Sequence, residues 1–170
     1  MALPSPLLPI LIEPIVRNAL LEDLGRAGDI TTDAIVPAGV TMRGVIAARK
    51  PGVVAGAEAA RLAFHLLDPS VKVSVLKPDG SKVAKGDAVL RIDGSARAIL
   101  AGERVALNMI CQLSGIASAT AAIVEAVKPH KTAVVCTRKT TPGLRVLEKH
   151  AIRAGGGSNH RFGLDDAVLI

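Results

Sequence analysis

The feature that most constrains the fold of this chain is the stretch of residues 96–128, which contains no proline and is dominated by apolar residues. A stretch of this length and composition is typical of helices, because strands are rarely so long and loops are rarely so apolar. The adjacent Ser114 and Gly115 interrupt it near its middle. We therefore predict two long helices and a domain boundary close to this break, which divides the chain into residues 1–112 and 113–170.

The chain before this stretch alternates short elements with turns. We predict two helices and four strands there: helices over residues 10–23 and 58–67, and strands over residues 41–48, 53–55, 71–75 and 88–92. The Asp-Ile-Thr-Thr-Asp segment at residues 29–33 predicts a turn or a short extended piece, because such side chains bond to their own backbone. Short strands separated by turns indicate an antiparallel or mixed sheet with a helix packed on it.

The chain after the long helical stretch alternates strand, helix and strand. We predict a strand over residues 132–137, a helix from Pro142 to about Ala154 with Thr141 as its N-cap, and a final strand over residues 166–170. This alternation is typical of a parallel sheet or barrel, so the predicted fold class is α/β. Because no neighbour follows the last strand, we expect a fragment of a longer protein, or a strand completed by another chain.

The composition restricts the classes of partner. Apolar residues make up 49% of the chain, and the only aromatic residues are Phe64 and Phe162, so the core must be aliphatic. The net charge of +6 favours anionic partners. Nucleic acid is disfavoured, because the chain has neither aromatic platforms for stacking bases nor a block of lysine and arginine. The scattered cations suit a small anionic molecule better.

The location of the chain is predicted from its termini and its cysteines. Residues 1–12 are apolar, but prolines interrupt them and no positive charge precedes them, which is unlike a signal peptide. Glu13 and Pro14 end this run well short of a membrane span. Cys111 and Cys136 lie in separate apolar runs, which predicts two buried thiols in a reducing compartment. We therefore predict a cytoplasmic protein without membrane contact.

Two pairs of polar residues are the candidates for binding an anion. Arg138 and Lys139 follow a predicted buried strand, and His160 and Arg161 follow a glycine turn. Ligands of parallel α/β folds bind at the carboxyl ends of strands, so the pairs predict a pocket for a strongly anionic molecule. From residue types alone, two solvated loops are an equally good interpretation. Arg104, considered alone, is predicted to be an arginine on a helix surface.

Several segments together resemble one enzyme family. They are T-R-K-T-T-P-G-L-R at residues 137–145, G-G-G-S-N-H-R at residues 155–161, E-R-V-A-L-N at residues 103–108 and L-S-G-I-A-S at residues 113–118. The first two segments in combination are highly specific. The chain resembles the quinolinate phosphoribosyltransferases from about residue 13 to its last residue.

The resemblance implies a fold, an assembly and a reaction. The fold would be an N-terminal α/β sandwich followed by the first strands of an incomplete α/β barrel. The sandwich of one subunit would cover the barrel mouth of the other in a homodimer. The reaction would convert quinolinate and phosphoribosyl pyrophosphate (PRPP), with Mg²⁺, to nicotinate mononucleotide, pyrophosphate and carbon dioxide in NAD biosynthesis.

The resemblance also implies roles for individual residues. Arg138 and Arg161 would bind the two carboxylates of quinolinate, and His160 would contact the same substrate. Lys139 would lie near the substrate and the phosphate groups, and Thr137 would belong to the substrate-binding segment. Such a site would neutralise several negative charges at once, which the reaction requires.

The remaining implied roles lie outside a single copy of this chain. Arg104 would cross the dimer interface into the partner's site, which replaces its interpretation as a surface residue. In the family, a further lysine and the acidic residues that hold ribose and Mg²⁺ follow the strand that ends here at Ile170. We therefore expect no metal ligand within this chain, and little or no turnover by residues 1–170 alone.

Two alternatives remain at this point. A related phosphoribosyltransferase, specific for nicotinate or associated with molybdenum, would share much of the pattern. A binding domain without catalysis is the alternative from a different class. Two carboxylates call for two arginine side chains, so a comparison of quinolinate and nicotinate binding separates the enzyme classes.

Overall fold

A computed structural model of the chain describes residues 7–168. In chain order, its elements are α1 (Pro9–Leu24), α2 (Ile30–Ile35), β1 (Thr41–Ala47), β2 (Gly52–Val53), α3 (Ala57–Leu67), β3 (Lys72–Val75), β4 (Lys82–Val83), β5 (Ala88–Ser95), α4 (Ala96–Val127) and α5 (Arg145–Ala154). Helices and strands are both well represented, which confirms the α/β class.

The sheet layer is antiparallel, as the short strands predict. Strands β1, β5 and β3 form one sheet with β5 in the centre, and β2 pairs with β4 in a second, two-stranded sheet. Burial alternates along β1, so one face of that strand is covered and the other faces solvent. The central strand contributes Leu90 and Ile92, both almost completely buried, to the core.

The helical layer covers the sheet with small and aliphatic residues. α3 packs on α4, and the buried Phe64 of α3 lies against Gly102 of α4. A Cβ atom at Gly102 would be 3.0 Å from Phe64 Cδ1, so this glycine lets the two helices approach closely. α1 adds the buried Ile12 and Val16 to the same core.

The long apolar stretch forms one helix, so the prediction of two helices is wrong. α4 runs without a break through Ser114 and Gly115. Its buried stripe keeps helical spacing on both sides of that pair and consists of Ala96, Ile99, Gly102, Val105, Ala106, Ile110, Leu113, Ala117 and Thr120. Residues 112 and 113 both lie within this helix, and the domain limits stay a prediction.

α4 is the one helix in residues 7–168 that is long and apolar enough to cross a membrane by length and composition. Core helices of soluble proteins meet the same two criteria. In this fold α4 packs its buried stripe against α3, α5 and strand β2. The cytoplasmic location and the absence of membrane contact stay predictions.

The segment after α4 contains less strand than predicted. Residues 132–137 form no extended strand, and their only ladder contact in the described chain is a parallel bridge between Val135 and Ser158. Residues 166–168 are not strand, and the end of the predicted final strand, residues 169–170, lies outside the described residues. The C-terminal part therefore consists of α5 and the loops on either side of it.

Two helix boundaries and one cysteine also differ from the predictions. α5 begins at Arg145 rather than Pro142, because a turn that contains Gly143 at a φ of +81° precedes it. The predicted turn at residues 29–33 is the start of α2, capped by the Asp29 carboxylate. Hydrogen bonds from Thr32 hold the pKa of Asp29 below its ordinary value. Cys111 is exposed rather than buried.

Candidate functional site

Two backbone segments lie side by side and bring the candidate residues to one end of the fold. Ser158 N donates to Val134 O at 2.8 Å, and Cys136 N donates to Ser158 O at 3.0 Å. This pattern is parallel, so residues 137–139 and 159–161 leave the pair of segments at the same end. The two cationic pairs therefore lie at the same end of the fold, and their role as a binding pocket stays a prediction.

Arg138 and Lys139, the first pair, differ in their exposure to solvent. Burial alternates along this segment, so Arg138 is half-buried while Thr137 and Lys139 are exposed. Lys139 N donates to Thr137 Oγ1 at 3.1 Å, which fixes the local turn. The Arg138 Nε atom is buried and has no hydrogen-bond partner within the described chain. A buried guanidinium donor of this kind needs an acceptor, and a carboxylate of a ligand would supply one.

The second pair lies on the neighbouring loop. His160 is exposed, and Arg161 is half-buried with its Nη1 donating to Ala167 O at 3.1 Å. The following turn is held by Phe162 N, which donates to Asp166 Oδ2 at 2.6 Å. Between residues 7 and 168, no carboxylate forms an ion pair with Arg138, Lys139, His160 or Arg161. The positive charges of Arg138, Lys139 and Arg161 are therefore left for an anion from solution.

Helix α5 links the two loops through Arg145 and Lys149. Arg145 Nε donates to Thr140 Oγ1 at 3.1 Å on the first loop, and its Nη1 donates to Phe162 O at 3.0 Å on the second. Lys149, one turn later, donates to Cys136 Sγ, His160 O and Arg161 O, each at 3.0 Å. Side chains thus crosslink the two loops, in addition to the parallel backbone bridge between Val135 and Ser158.

Lys149 and His150 were given no role from the sequence, although the pair Glu148-Lys149 is among the segments that resemble the family. Lys149 is only 1% exposed, and His150 is 5% exposed with its Nε2 atom 2.8 Å from Asp79 Oδ2. A lysine and a histidine within a short helix ordinarily indicate a solvated face. The one available signal was the four-residue spacing of Arg145 and Lys149, which places both on the same side of the helix.

Arg104 lies apart from the other candidates in the single chain. It is exposed on α4 and lines a cavity of about 750 Å³ formed with residues 46–54. None of the residues in the two cationic pairs lines this cavity. The delivery of Arg104 to a partner's site therefore stays a prediction.

Acidic and imidazole groups are dispersed in this part of the fold. Over residues 7–168, no three side chains of histidine, cysteine, aspartate or glutamate come together as a potential metal site. Near the loops, Glu148 accepts from Thr141 N and Asp166 accepts from Phe162 N. The described residues do not fit a resident divalent cation, and what they offer is a cationic surface.

Two family sequence models match the chain in succession. The model described as "Quinolinate phosphoribosyl transferase, N-terminal domain" matches residues 29–114, and the model described as "Quinolinate phosphoribosyl transferase, C-terminal domain" matches residues 116–170. The C-terminal match includes both cationic pairs, and the N-terminal match includes Arg104.

Curated relatives and solved structures support the same assignment. The chain is 45% identical over 157 residues to "Nicotinate-nucleotide pyrophosphorylase [carboxylating]" of Mycobacterium leprae. This match covers 91% of the chain and 55% of the relative. It is 47% identical over 163 residues to the probable enzyme of that name from Synechocystis, and this match covers 95% of the chain and 54% of the relative. The crystal structure of NadC from Streptococcus pyogenes superimposes with a TM-score of 0.92 at 43% identity and covers 96% of this chain and 58% of that one.

The chain spans about half the length of the curated relatives that it matches. Within that half, the two family matches follow each other along most of the chain, and the fold agrees with a solved member over nearly all of it. On these grounds, the chain belongs to the quinolinate phosphoribosyltransferase family.

Proposed function

We propose that this chain supplies the quinolinate-binding part of an enzyme that transfers phosphoribose from PRPP to quinolinate. Decarboxylation would accompany the transfer and give nicotinate mononucleotide, pyrophosphate and carbon dioxide for NAD biosynthesis. The observation that carries the proposal is that two cationic loops leave adjacent backbone segments at one end of the fold, and that no carboxylate of the described chain neutralises them.

The two arginines are suited to the two carboxylates of quinolinate. Arg138 has a buried Nε atom without an acceptor, and Arg161 is held at its loop by a single bond to Ala167 O. A guanidinium binds a carboxylate through two parallel hydrogen bonds, which fixes orientation as well as charge. We propose that each arginine takes one carboxylate, and that Thr137 and His160 contact the ring or its substituents from the exposed side.

Lys139 is suited to the phosphate groups of PRPP. Its side chain is on the open side of the loop, opposite to Arg138. A flexible ammonium acts as a point charge on a phosphate oxygen. The departure of pyrophosphate leaves positive charge on the ribose, so binding of quinolinate beside that carbon and stabilisation of the leaving phosphates would account for most of the rate acceleration.

The proposal extends to a second subunit and to Mg²⁺. We propose a homodimer in which Arg104 of one protomer reaches the site of its partner, since this arginine is exposed and has no ion pair in residues 7–168. Mg²⁺ would enter bound to the pyrophosphate of PRPP, because the described residues offer no ligand cluster for it. A cytoplasmic location belongs to the same proposal.

The alternatives have weaker support. The relatives are named nicotinate-nucleotide pyrophosphorylase [carboxylating], and both family models are those of quinolinate phosphoribosyl transferase. A nicotinate-specific relative would not need two arginines for one substrate, because nicotinate has one carboxylate. A binding domain without catalysis has less support, because the relatives are named as enzymes.

A hybrid enzyme tests the proposed reaction. Residues 1–170 are joined to the C-terminal part of the Mycobacterium leprae relative, and release of carbon dioxide from carboxyl-labelled quinolinate is measured with PRPP and Mg²⁺. We expect turnover by the hybrid, a loss of at least about 100-fold in R138Q, and little or no turnover by residues 1–170 alone. A folded hybrid that transfers phosphoribose to nicotinate but not to quinolinate would contradict the proposal.

A further inference from the structure

Lys149 has an environment that is unusual for a lysine. Its side chain is in the middle of α5 and is 1% exposed. Its ammonium donates to three acceptors, Cys136 Sγ, His160 O and Arg161 O, each at 3.0 Å. A lysine ammonium has three donors, so all of them are used and none is left for a ligand.

The charge of Lys149 is not neutralised by an acidic side chain. Within residues 7–168, no carboxylate lies within ion-pair distance of its Nζ atom. Two carbonyl dipoles, one sulfur atom and the ring of Phe162, whose centroid is 5.5 Å away, surround the ammonium instead. Burial of an ammonium costs free energy, and an apolar side chain of similar volume would pack there with less penalty. Stability alone is therefore a poor explanation for this lysine.

The three acceptors of the Lys149 ammonium lie on both cationic loops or at their base. Cys136 is two residues before Arg138, on the same covered side of the first segment. The other two acceptors are the backbone carbonyls of His160 and Arg161 themselves. One ammonium thus connects the base of the first cationic loop to the backbone of the second.

We infer that Lys149 is a positioning residue, which holds the two loops at the separation that lets Arg138 and Arg161 take both carboxylates of one dicarboxylate. This inference rests on the proposed function, because it assumes that those arginines share a substrate. In this role Lys149 does not need to contact the substrate. Recognition of both carboxylates is lost when the two arginines are displaced by about 1 Å. Loss of the Lys149 hydrogen bonds, which we call the tether, would therefore weaken binding strongly.

The inference predicts an effect on selectivity rather than a general loss of binding. A dicarboxylate needs both arginines at a fixed spacing, whereas a monocarboxylate such as nicotinate needs only one of them. Removal of the tether should therefore weaken the binding of quinolinate much more than the binding of nicotinate. A lysine that served only the stability of the fold would not change the ratio of the two affinities.

The test uses the whole chain, with K149M as the variant and K131M as the matched control, since Lys131 is exposed on the loop that follows α4. Calorimetry gives the dissociation constants of quinolinate and nicotinate. In K149M we expect quinolinate to bind at least about 10-fold more weakly and nicotinate to change by no more than about 3-fold. K131M should match the parent protein. A folded K149M with an unchanged ratio of affinities would overturn the inference.

A second measurement covers the case in which K149M does not fold. In the parent protein, ¹⁵N nuclear magnetic resonance should detect a slowly exchanging Lys149 ammonium with couplings across its hydrogen bonds to the His160 and Arg161 carbonyl carbons. An ammonium that exchanges as fast as that of Lys131 and lacks these couplings would overturn the inference. If the parent protein binds neither ligand while these couplings are present, the proposed function fails, and only the hydrogen bonds of Lys149 to the two loops are confirmed.

Discussion

His150 Nε2 lies 2.8 Å from Asp79 Oδ2, and this contact joins helix α5 to the N-terminal layer. The two side chains are only 4% and 13% exposed. The same carboxylate accepts from Gly56 N at 3.1 Å and from Ala57 N at 3.0 Å at the start of α3. Asp79 therefore caps one helix and anchors another, and α5 carries the two cations that crosslink the candidate site.

Replacement of Asp79 should be costly. D79A removes the acceptor of two backbone N–H groups and the partner of a buried histidine, so we expect a loss of about 2–4 kcal/mol in the free energy of unfolding. Urea denaturation of the parent protein and of D79A measures this loss. The matched control is D93A, which breaks the exposed pair between Arg43 and Asp93 and should cost no more than about 1 kcal/mol. Equal costs for the two variants would show that the Asp79 contacts do not stabilise the fold.

The hydroxyl of Ser118 should matter for strand β2. Its Oγ atom accepts from Val53 N at 2.9 Å, and Ser114 does the same for Ala55 N at 3.0 Å one turn earlier. Within residues 7–168, α4 thus satisfies backbone donors on the side of β2 that does not pair with β4. S118A should cost about 1–3 kcal/mol and speed hydrogen exchange at Val53. Unchanged protection of the Val53 amide in S118A would contradict this account.

Two glycines should respond to alanine in opposite directions. A Cβ at Gly155 would overlap Ala117 O and lie 2.7 Å from Thr120 Cβ, whereas a Cβ at Gly115 meets nothing within 4 Å. We expect G155A to destabilise the chain by at least about 1–3 kcal/mol. G115A should stabilise it by about 0.5–1 kcal/mol, because alanine favours a helix interior. Thermal unfolding compares the two, and destabilisation by G115A would refute a continuous α4.

The periodic part of the fold was predictable from the sequence. α1, α3, β1 and β3 lie close to their predicted positions, because their apolar residues repeat at helical or strand spacing. The break predicted within α4 was wrong for a tertiary reason. Ser114 is accommodated there because its hydroxyl bonds to the backbone of Ala55 in a distant segment, which no local pattern reveals.

The candidate site was predictable only in part. The two cationic pairs follow from their sequence positions, and the adjacent backbone segments bring them to the same end of the fold. The supporting residues depend on long-range contacts. Lys149 is buried by the loops that it crosslinks, and His150 finds its partner 71 residues earlier in the chain. Neither could be distinguished from a surface residue by sequence spacing alone.

The central claim is that Arg138 and Arg161 bind the two carboxylates of quinolinate, and calorimetric binding of quinolinate and nicotinate to the chain tests it most directly. We predict that quinolinate binds at least about 10-fold more tightly than nicotinate, and that R138Q and R161Q each remove most of this preference. Nicotinate binding as tightly as quinolinate, or an unchanged preference in both variants, would contradict the claim.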